Sequence, residues 1–437
     1  MAKSIFTFML LCAALVTPGT SGALVITDVN DAPDVSSTQP NPVIEWNRTL
    51  LQIVRTPRAQ PATIHSTRNF AMLHIAIFEA VNSIDRSFEP YSDRMLRFSR
   101  RASAQAAADQ SAHDVLIALY PSFSSTLDSE LQQDLSQIPY GEDKDEGVKA
   151  GQAAAAEILA LRSNDGSGAT PPPFVPKNQP GFYQLTPPNS APADFTQWAQ
   201  VKPFALFHAN QFRPSPPPRL SGEEYTRSFD EVASLGIIDS KMRTADQTQI
   251  GQFWNGNIQD FWNEITQTAA LHHHLDLPHT AQIFALVNIS LADTTISFFE
   301  AKYVYNLWRP VTAIQMADTD GNPATQPNDV WIPLPTKTAP DPSYPGAHSA
   351  ISFAAAEALQ LYFHDQMNFD VTSESLPGVA RHFNNFVDAA EEEGLSRIYA
   401  GQHFRFDHVA GQQLGRRVAV FVVFTSLHPR LNPGIND

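Results

Sequence analysis

From Val43 onward, apolar positions along the chain recur at three- and four-residue spacing. Ile64, Phe70, Leu73, Ile77, Ala80, Val81 and Ile84 fall on one stripe, with Glu79 and Asp85 on the other side, so the pattern predicts an amphipathic helix. Alanine-rich segments at 102–119 and 147–162 predict two more, because alanine loses almost no conformational freedom in a helix. Ser221-Gly222-Glu223-Glu224 reads as a capping-box-like start. A long helix is expected from about Thr280 to Arg309, where Pro310 stops it, with others at 347–363, 376–393 and 406–426. Runs of alternating β-branched residues are few, so strands should be scarce. With no internal repeat and no heptad run, the pattern predicts an all-α fold of two helical bundles.

The helical pattern fades between Ser163 and Leu220. This stretch carries Pro171-Pro172-Pro173, Pro187-Pro188 and Pro216-Pro217-Pro218, a large share of the chain's 34 prolines. Each proline removes a donor and fixes φ, so the connection is extended. It also carries Phe182, Tyr183, Phe195, Trp198, Phe204 and Phe207, aromatics that an unpacked tether would not need. The expected organisation is an N-terminal helical half at 43–162, an ordered Pro-rich wrap at 163–220, and a C-terminal helical half at 221–437 with its core at about 280–428.

The N-terminus has a different pattern. Lys3 precedes an apolar run from Ile5 to Val16, and Ser21-Gly22-Ala23 offers small residues for cleavage after Ala23. Residues 1–23 read as an export signal, and 24–42 as an extended lead-in. The run is too short for a bilayer, which needs about 20 apolar residues, and no later stretch is expected to be long enough, so no transmembrane anchor is expected. Export to the periplasm or the exterior follows as an expectation. Cys12, the single cysteine, lies in the signal, so the mature chain would carry neither thiol nor disulfide.

Composition then narrows the function. Lys and Arg number 29 against 45 Asp and Glu, a formal net charge of −16. An overall field of that sign does not attract nucleic-acid phosphates, so an anion needs a locally concentrated positive site.

Three short motifs in the last third of the chain supply candidates. In the first, six residues separate Lys302 from Arg309-Pro310. Seven residues of continuous helix advance about 700°, so both cations would share a face about 10 Å apart along the axis. They would repel unless an anion sat between them. The second motif is Ser343-Tyr344-Pro345-Gly346-Ala347-His348-Ser349, a Pro-Gly turn running into an apolar helix. It places His348 in the first turn, beside free backbone N–H groups that suit an anion. The third is Ser396-Arg397, then His403 and Asp407. At i, i+4 on a helix the carboxylate would hold one imidazole nitrogen, leaving the other as nucleophile or metal ligand. Arg397 adds a planar fork suited to a tetrahedral oxyanion. Taken singly, each motif also fits a solvated cation, a capped helix or a surface salt bridge.

Together and in this order, Lys-x6-Arg-Pro, Pro-x-x-His and Ser-Arg-x5-His-x3-Asp resemble the superfamily that joins vanadium-dependent haloperoxidases to type-2 phosphatidic acid phosphatases. Met72-Leu73-His74, Ala80 to Asp85, Pro203-Phe204-Ala205, Gln211 to Pro214 and Asp318 to Pro323 extend the likeness to bacterial vanadium haloperoxidase-like proteins over nearly the whole mature chain. The resemblance implies a vanadate cofactor whose oxygens are neutralised by Lys302, Arg309 and Arg397, with backbone donors around Gly346 and Ala347. It implies His403 as axial ligand to vanadium, oriented by Asp407, and His348 as acid-base residue. Hydrogen peroxide and halide would be the substrates, bromide more than chloride, with an organic acceptor possible in principle. The family also suggests a homodimer.

The same residues serve an exported acid phosphatase, with His403 forming a phosphohistidine and His348 protonating the leaving alkoxide. A non-catalytic oxyanion-binding relative is the third reading. Two departures from the family bear on the choice. Gly346 and Ala347 stand where Ser-Gly is usual, which removes one hydroxyl donor. Asp341 stands where haloperoxidases tend to carry an aromatic or histidine, so a carboxylate is expected on the halide path. His272-His273-His274 with His279 reads as a polar helix end, and Asp318 to Asn322 as a turn without the distal glutamate of a calcium loop. Asn47 and Asn288 match the glycosylation pattern without further support.

Overall fold

The computed structural model describes residues 41–364 and 366–430. The segment read as an export signal, with Cys12, and the expected lead-in up to residue 40 lie outside the described residues. Five helices come first: α1 Pro42–Arg55, α2 Ser66–Asp85, α3 Ala104–Leu119, α4 Ser124–Ser136 and α5 Glu142–Arg162. After the wrap follow α6 Glu223–Leu235, α7 Ala245–Phe253, α8 Ile258–His272, α9 Leu277–Tyr305 and α10 Pro310–Gln315. The chain closes with α11 Ala347–Phe363, the hairpin β1 Phe369–Thr372 and β2 Ala380–Phe383, α12 Phe386–Tyr399 and α13 Arg405–Thr425. The fold is all-α.

Local chemistry sets most of the ends. Asn41 caps α1 by accepting from the Val43 N–H at 3.1 Å, with Pro42 at the first helical position. Asp276 caps α9 through the His279 N–H at 3.0 Å. The expected capping box at 221–224 does not form, because Gly222 is the cap residue of α6 and has no side chain to accept with. Residues 376–393, read as one helix, divide instead. Gly378 takes φ 82° after Pro377, a turn forms, and β2 pairs antiparallel with β1 before α12 begins.

The main core runs from Val43 and Trp46 through Phe284, Ile289 and Phe298 to Val418 and Leu427, across both halves. Its axis is α9, which packs on α2 from the first half and on α11 and α13 from the second. By length and composition α9 alone among the described helices is long and apolar enough to cross a membrane, against the expectation that no later stretch is long enough, but its apolar window lies wholly inside the protein. Glu79, expected on the polar face of α2, is buried, and burial pushes its carboxyl up to about 7.

Residues 163–220 form no α-helix and are held against the rest by backbone bonds. Asp293, buried in the middle of α9, accepts from the N–H groups of Phe204, Ala205 and Leu206 at 2.6, 2.7 and 2.8 Å. The wrap also fixes what comes after α9. The Tyr183 N–H donates to Asn306 O at 2.8 Å and the Trp308 N–H to Gly181 O at 3.1 Å, while the Ser343 N–H takes Leu307 O at 2.9 Å. Residues 306–308 are therefore clamped on both sides, and the next residue is Arg309.

Candidate active site

The three motifs converge on one buried cluster. It forms where the end of α9, the clamped segment after it, the 341–346 loop, the start of α11 and the loop between α12 and α13 meet.

Lys302 lies in the last turn of α9 and is fully buried. Arg309 is not on that helix, contrary to the shared-face reading. Asn306 adopts the left-handed conformation, ends α9 at Tyr305, and leaves Arg309 as the cap residue of α10. The two cations nonetheless meet, because both reach the 341–343 loop. Lys302 Nζ donates to Pro342 O at 2.5 Å and Ser343 O at 3.1 Å, and stands 3.0 Å from Asp341 Oδ2. Arg309 Nη2 donates to Asp341 Oδ1 at 2.5 Å, and its Nε to Asp341 O at 2.8 Å. Burial, with Arg309 nearby, pushes the Lys302 ammonium down to about 8 despite the Asp341 carboxylate. Burial acts to raise Asp341, yet Lys302 and Arg309 together hold it below the usual carboxylate range.

Arg309 Nη1 donates to Gln402 O at 3.0 Å and lies 3.1 Å from His403 Nε2. His403 stands two residues before α13, so the pairing with Asp407 is not made along one helix face as expected. It is made across the helix start, with Nδ1 at 3.0 Å from Asp407 Oδ2. That oxygen also accepts from Ser343 Oγ at 2.5 Å and the Phe404 N–H at 3.0 Å, while Asp407 Oδ1 is buried without a partner. Burial holds the Asp407 carboxyl up at about 6. Burial and the cations Arg309, Lys302 and Arg397 push the His403 imidazole well below 6.5, so it is neutral.

His348 sits in the first turn of α11, as the sequence indicates. Its ring bonds the Trp254 backbone, and Nε2 is buried with no partner. Burial and the nearby Arg397 keep it well below 6.5. Arg397, on the last turn of α12, is also poorly satisfied. Its Nη1 reaches Asn255 Oδ1 at 3.4 Å and its buried Nε has no partner. Burial and Arg309 lower it to about 10.

The turn before α11 differs in detail from the expectation. The Gly346 N–H is spent on Asp407 O at 2.9 Å, so it is not a free donor. Gly346 O accepts the first intrahelical bond, from Ala350, which leaves the N–H groups of Ala347, His348 and Ser349 without an intrahelical acceptor. Ala347 sits in ordinary helical backbone and donates without strain. Two glycines of α13 hold the turn in place. A Cβ on Gly411 would stand 2.4 Å from Gly346 O, and one on Gly415 2.1 Å from Ala350 O. Both lie on the α13 face that closes on α11.

Sequence reasoning singled out Lys302, Arg309, Asp341, Gly346, Ala347, His348, Arg397, His403 and Asp407, and all nine are here. It missed Ser343 as a second partner of Asp407, and the backbone roles of Gln402 and Trp254. It missed Glu393 as well, a fully buried carboxyl one turn before Arg397 that accepts from Trp262 Nε1 at 2.9 Å. These contacts join distant segments, and no spacing announces them. The other sequence features lie elsewhere. His279 bonds the Asp276 cap, Asp320 and Asn322 close a turn with Thr325, and Asn47 and Asn288 are buried and bonded internally. A cavity of about 670 Å³ lined by His273, His279, His364 and His428 is separate from this cluster.

A family profile described as the VCPO second helical-bundle domain matches residues 282–428, the segment holding every motif residue. The vanadium chloroperoxidase of Curvularia inaequalis is 23% identical over 505 residues, covering 88% of this chain and 81% of that protein. The structure of a bacterial vanadium-dependent iodoperoxidase superposes with a TM-score of 0.76 at 25% identity, covering 91% of this chain and all of that one. Residues 282–428 thus match the VCPO second helical-bundle domain, and the chain as a whole is similar in sequence and fold to vanadium haloperoxidases. A holo-type bacterial vanadium-dependent chloroperoxidase shares the fold at TM-score 0.67, with 16% identity over 90% of this chain and 98% of its own. Within this haloperoxidase-like fold, the cluster is a cage of three buried cations around two neutral histidines.

Proposed function

We propose that this protein is a vanadate-dependent haloperoxidase that oxidises bromide and iodide with hydrogen peroxide in preference to chloride. The observation that carries the reading is a pair of buried polar atoms without partners. Arg397 Nε, a donor, and His348 Nε2, the lone-pair nitrogen of a ring whose other nitrogen bonds the Trp254 backbone, share one cage with Lys302, Arg309 and the neutral ring of His403. Leaving such groups unsatisfied is costly, so the cage suits a partly protonated oxyanion whose oxygens accept from the cations and whose hydroxyl donates to His348. A single nitrogen ligand amid cations suits a hard oxyanion and not zinc, which takes several nitrogen or sulfur donors.

Lys302, Arg309 and Arg397 would hold the oxygens of vanadate, Ala347 N–H would add a donor, and His403 Nε2 would bind vanadium. Bound vanadate supplies Lewis-acid activation of peroxide. The protein's part is protonic and electrostatic. Asp407 keeps the His403 proton on Nδ1, so Nε2 presents a lone pair. His348 Nε2 takes a proton from hydrogen peroxide and returns it to the oxygen that leaves. The cations that depress His348 are offset once an anion fills the cage, which raises its pKa toward the range where a proton moves both ways.

The halide preference rests on Asp341. Whether it keeps its cation partners or turns aside, its carboxylate stays beside the cage and lowers the positive potential there, so a bound oxyanion is polarised less. Chloride, the hardest of the three halides to oxidise, suffers most. The likeness to a protein named an iodoperoxidase supports the same order. Export through residues 1–23 belongs to this reading. Turnover of iodide, bromide and chloride by the vanadate-loaded protein tests it. Iodide and bromide oxidation well above chloride is expected, whereas chloride turnover equal to bromide contradicts the preference. Hydrolysis of p-nitrophenyl phosphate without any halide turnover would move the protein to the phosphatase branch.

A further inference from the structure

We propose that Asp341 is a resident counter-anion of the cage, which an incoming oxyanion displaces, so that this one side chain sets how tightly the protein holds tetrahedral oxyanions. The inference rests on the oxyanion reading above and deepens it.

The geometry is that of an occupant. One carboxylate oxygen of Asp341 faces Lys302 Nζ at 3.0 Å, and the other accepts from Arg309 Nη2 at 2.5 Å. Those two prongs are the contacts that the first motif would give to an oxyanion. The carboxylate is buried with them, so the pairing is not screened by solvent. It does not extend to the other side of the cage. Arg397, whose one side-chain acceptor is Asn255 at 3.4 Å, and His348 Nε2 stay unfilled. An oxyanion entering from that side meets one free cation and two that are already paired.

The charge balance gives the consequence. With His403 and His348 neutral, Lys302, Arg309 and Arg397 contribute three positive charges; Asp341 and Asp407 are the nearby carboxylates, and of the two Asp341 is the one paired directly with the cations. An oxyanion must displace a carboxylate of its own sign or share cations with it, and either route weakens binding relative to the same cage without Asp341. The backbone favours displacement. Arg309 Nε holds Asp341 through its carbonyl oxygen at 2.8 Å, so the residue stays anchored while its side chain turns. Tyr183, buried in the adjoining wrap and near enough for the Asp341 charge to raise its phenol, offers a hydroxyl to the displaced carboxylate. The adjoining loop is itself secured to the wrap, by the Asp194 N–H to Pro340 O at 2.8 Å and Thr186 Oγ1 to Thr338 O at 3.2 Å.

Calorimetric titration of the mature wild-type protein, D341N, D341S and R397A with orthovanadate and with inorganic phosphate tests this, with thermal melting to confirm folding. Removing a charge-assisted competitor is expected to tighten both anions by about tenfold or more in D341N and D341S. R397A is expected to weaken both. Wild-type binding with equal or weaker binding in the folded Asp341 variants overturns the counter-anion role and leaves the oxyanion reading standing. No binding of either anion by any of the four proteins overturns the oxyanion reading itself, and Asp341's role with it. A crystal structure of the wild type with orthovanadate provides a check that needs no variant. Asp341 is expected to have left Lys302 or Arg309, and retention of both pairs beside the bound anion overturns displacement.

Discussion

Arg309 Nη1 lies 3.1 Å from His403 Nε2, while Asp407 Oδ2 lies 3.0 Å from Nδ1 of the same ring. A guanidinium only donates, so Nε2 must accept and the ring proton must face Asp407. The lone pair that would bind vanadium, or attack phosphorus, is thus aimed before any ligand arrives. Replacing Asp407 by Asn removes the charge that fixes this tautomer. Orthovanadate affinity and halide turnover are expected to fall by about 10- to 100-fold. Unchanged affinity in D407N, measured by calorimetry, would show that the Asp407 charge does not orient the His403 ring.

Arg397 behaves oppositely toward stability and toward binding. Its Nε is buried and unpartnered, and it sits near Arg309. Removing an unsatisfied buried charge relieves a cost, so R397A is expected to melt at the same or a higher temperature. The same variant loses charge-assisted bonds of about 1.5–3 kcal/mol, which corresponds to about 10- to 100-fold weaker oxyanion binding. A clear drop in melting temperature would mean that Arg397 is a structural cation and not a ligand-binding one.

Glu393 supplies a pH signature. Burial raises its carboxyl from 4.5 to about 8, against the pull of Ser352, Trp262 and Arg397. Between those two pH values the folded protein holds a proton that the unfolded chain has released. The group's contribution to stability is therefore fully present below pH 4.5 and falls by up to about 1.4 kcal/mol per unit as pH rises toward 8. E393Q mimics the neutral form and can still accept from Trp262. Urea unfolding at pH 5, 6.5 and 8 should show E393Q gaining on the wild type as pH rises. Parallel profiles would place Glu393 as an ordinary ionised carboxylate.

The close approach of α13 to α11 makes a further test. A methyl on Gly411 meets Gly346 O at 2.4 Å and Ser349 Cβ at 2.9 Å. G411A must push the Gly346-Ala347 turn away from Asp407, at a cost of about 1–3 kcal/mol. It should weaken oxyanion binding as well, since the Gly346 N–H bond to Asp407 O stretches. Stability lost with binding intact would separate the packing from the site.

Much of this was legible in the sequence, and the failures have particular causes. The helix starting at Ala347 and the placement of His348 followed from Pro345-Gly346 and the apolar run behind them. The shared helix for Lys302 and Arg309 fails because Pro310 is not the stop: Asn306 leaves the helix four residues earlier by adopting a left-handed backbone. Pro377-Gly378 was the signal for the hairpin that an apolar period concealed. The ion pairs of Asp341 reach back 39 residues to Lys302 and 32 to Arg309, and are set by packing that no local pattern encodes.

Bromide-dependent bromination of a dione dye with hydrogen peroxide, with and without added orthovanadate, tests the central claim most directly. The wild type is expected to be active only with vanadate, and His403→Ala to be inactive under both conditions. Bromination that proceeds equally without vanadate, or survives the loss of His403, would contradict the account.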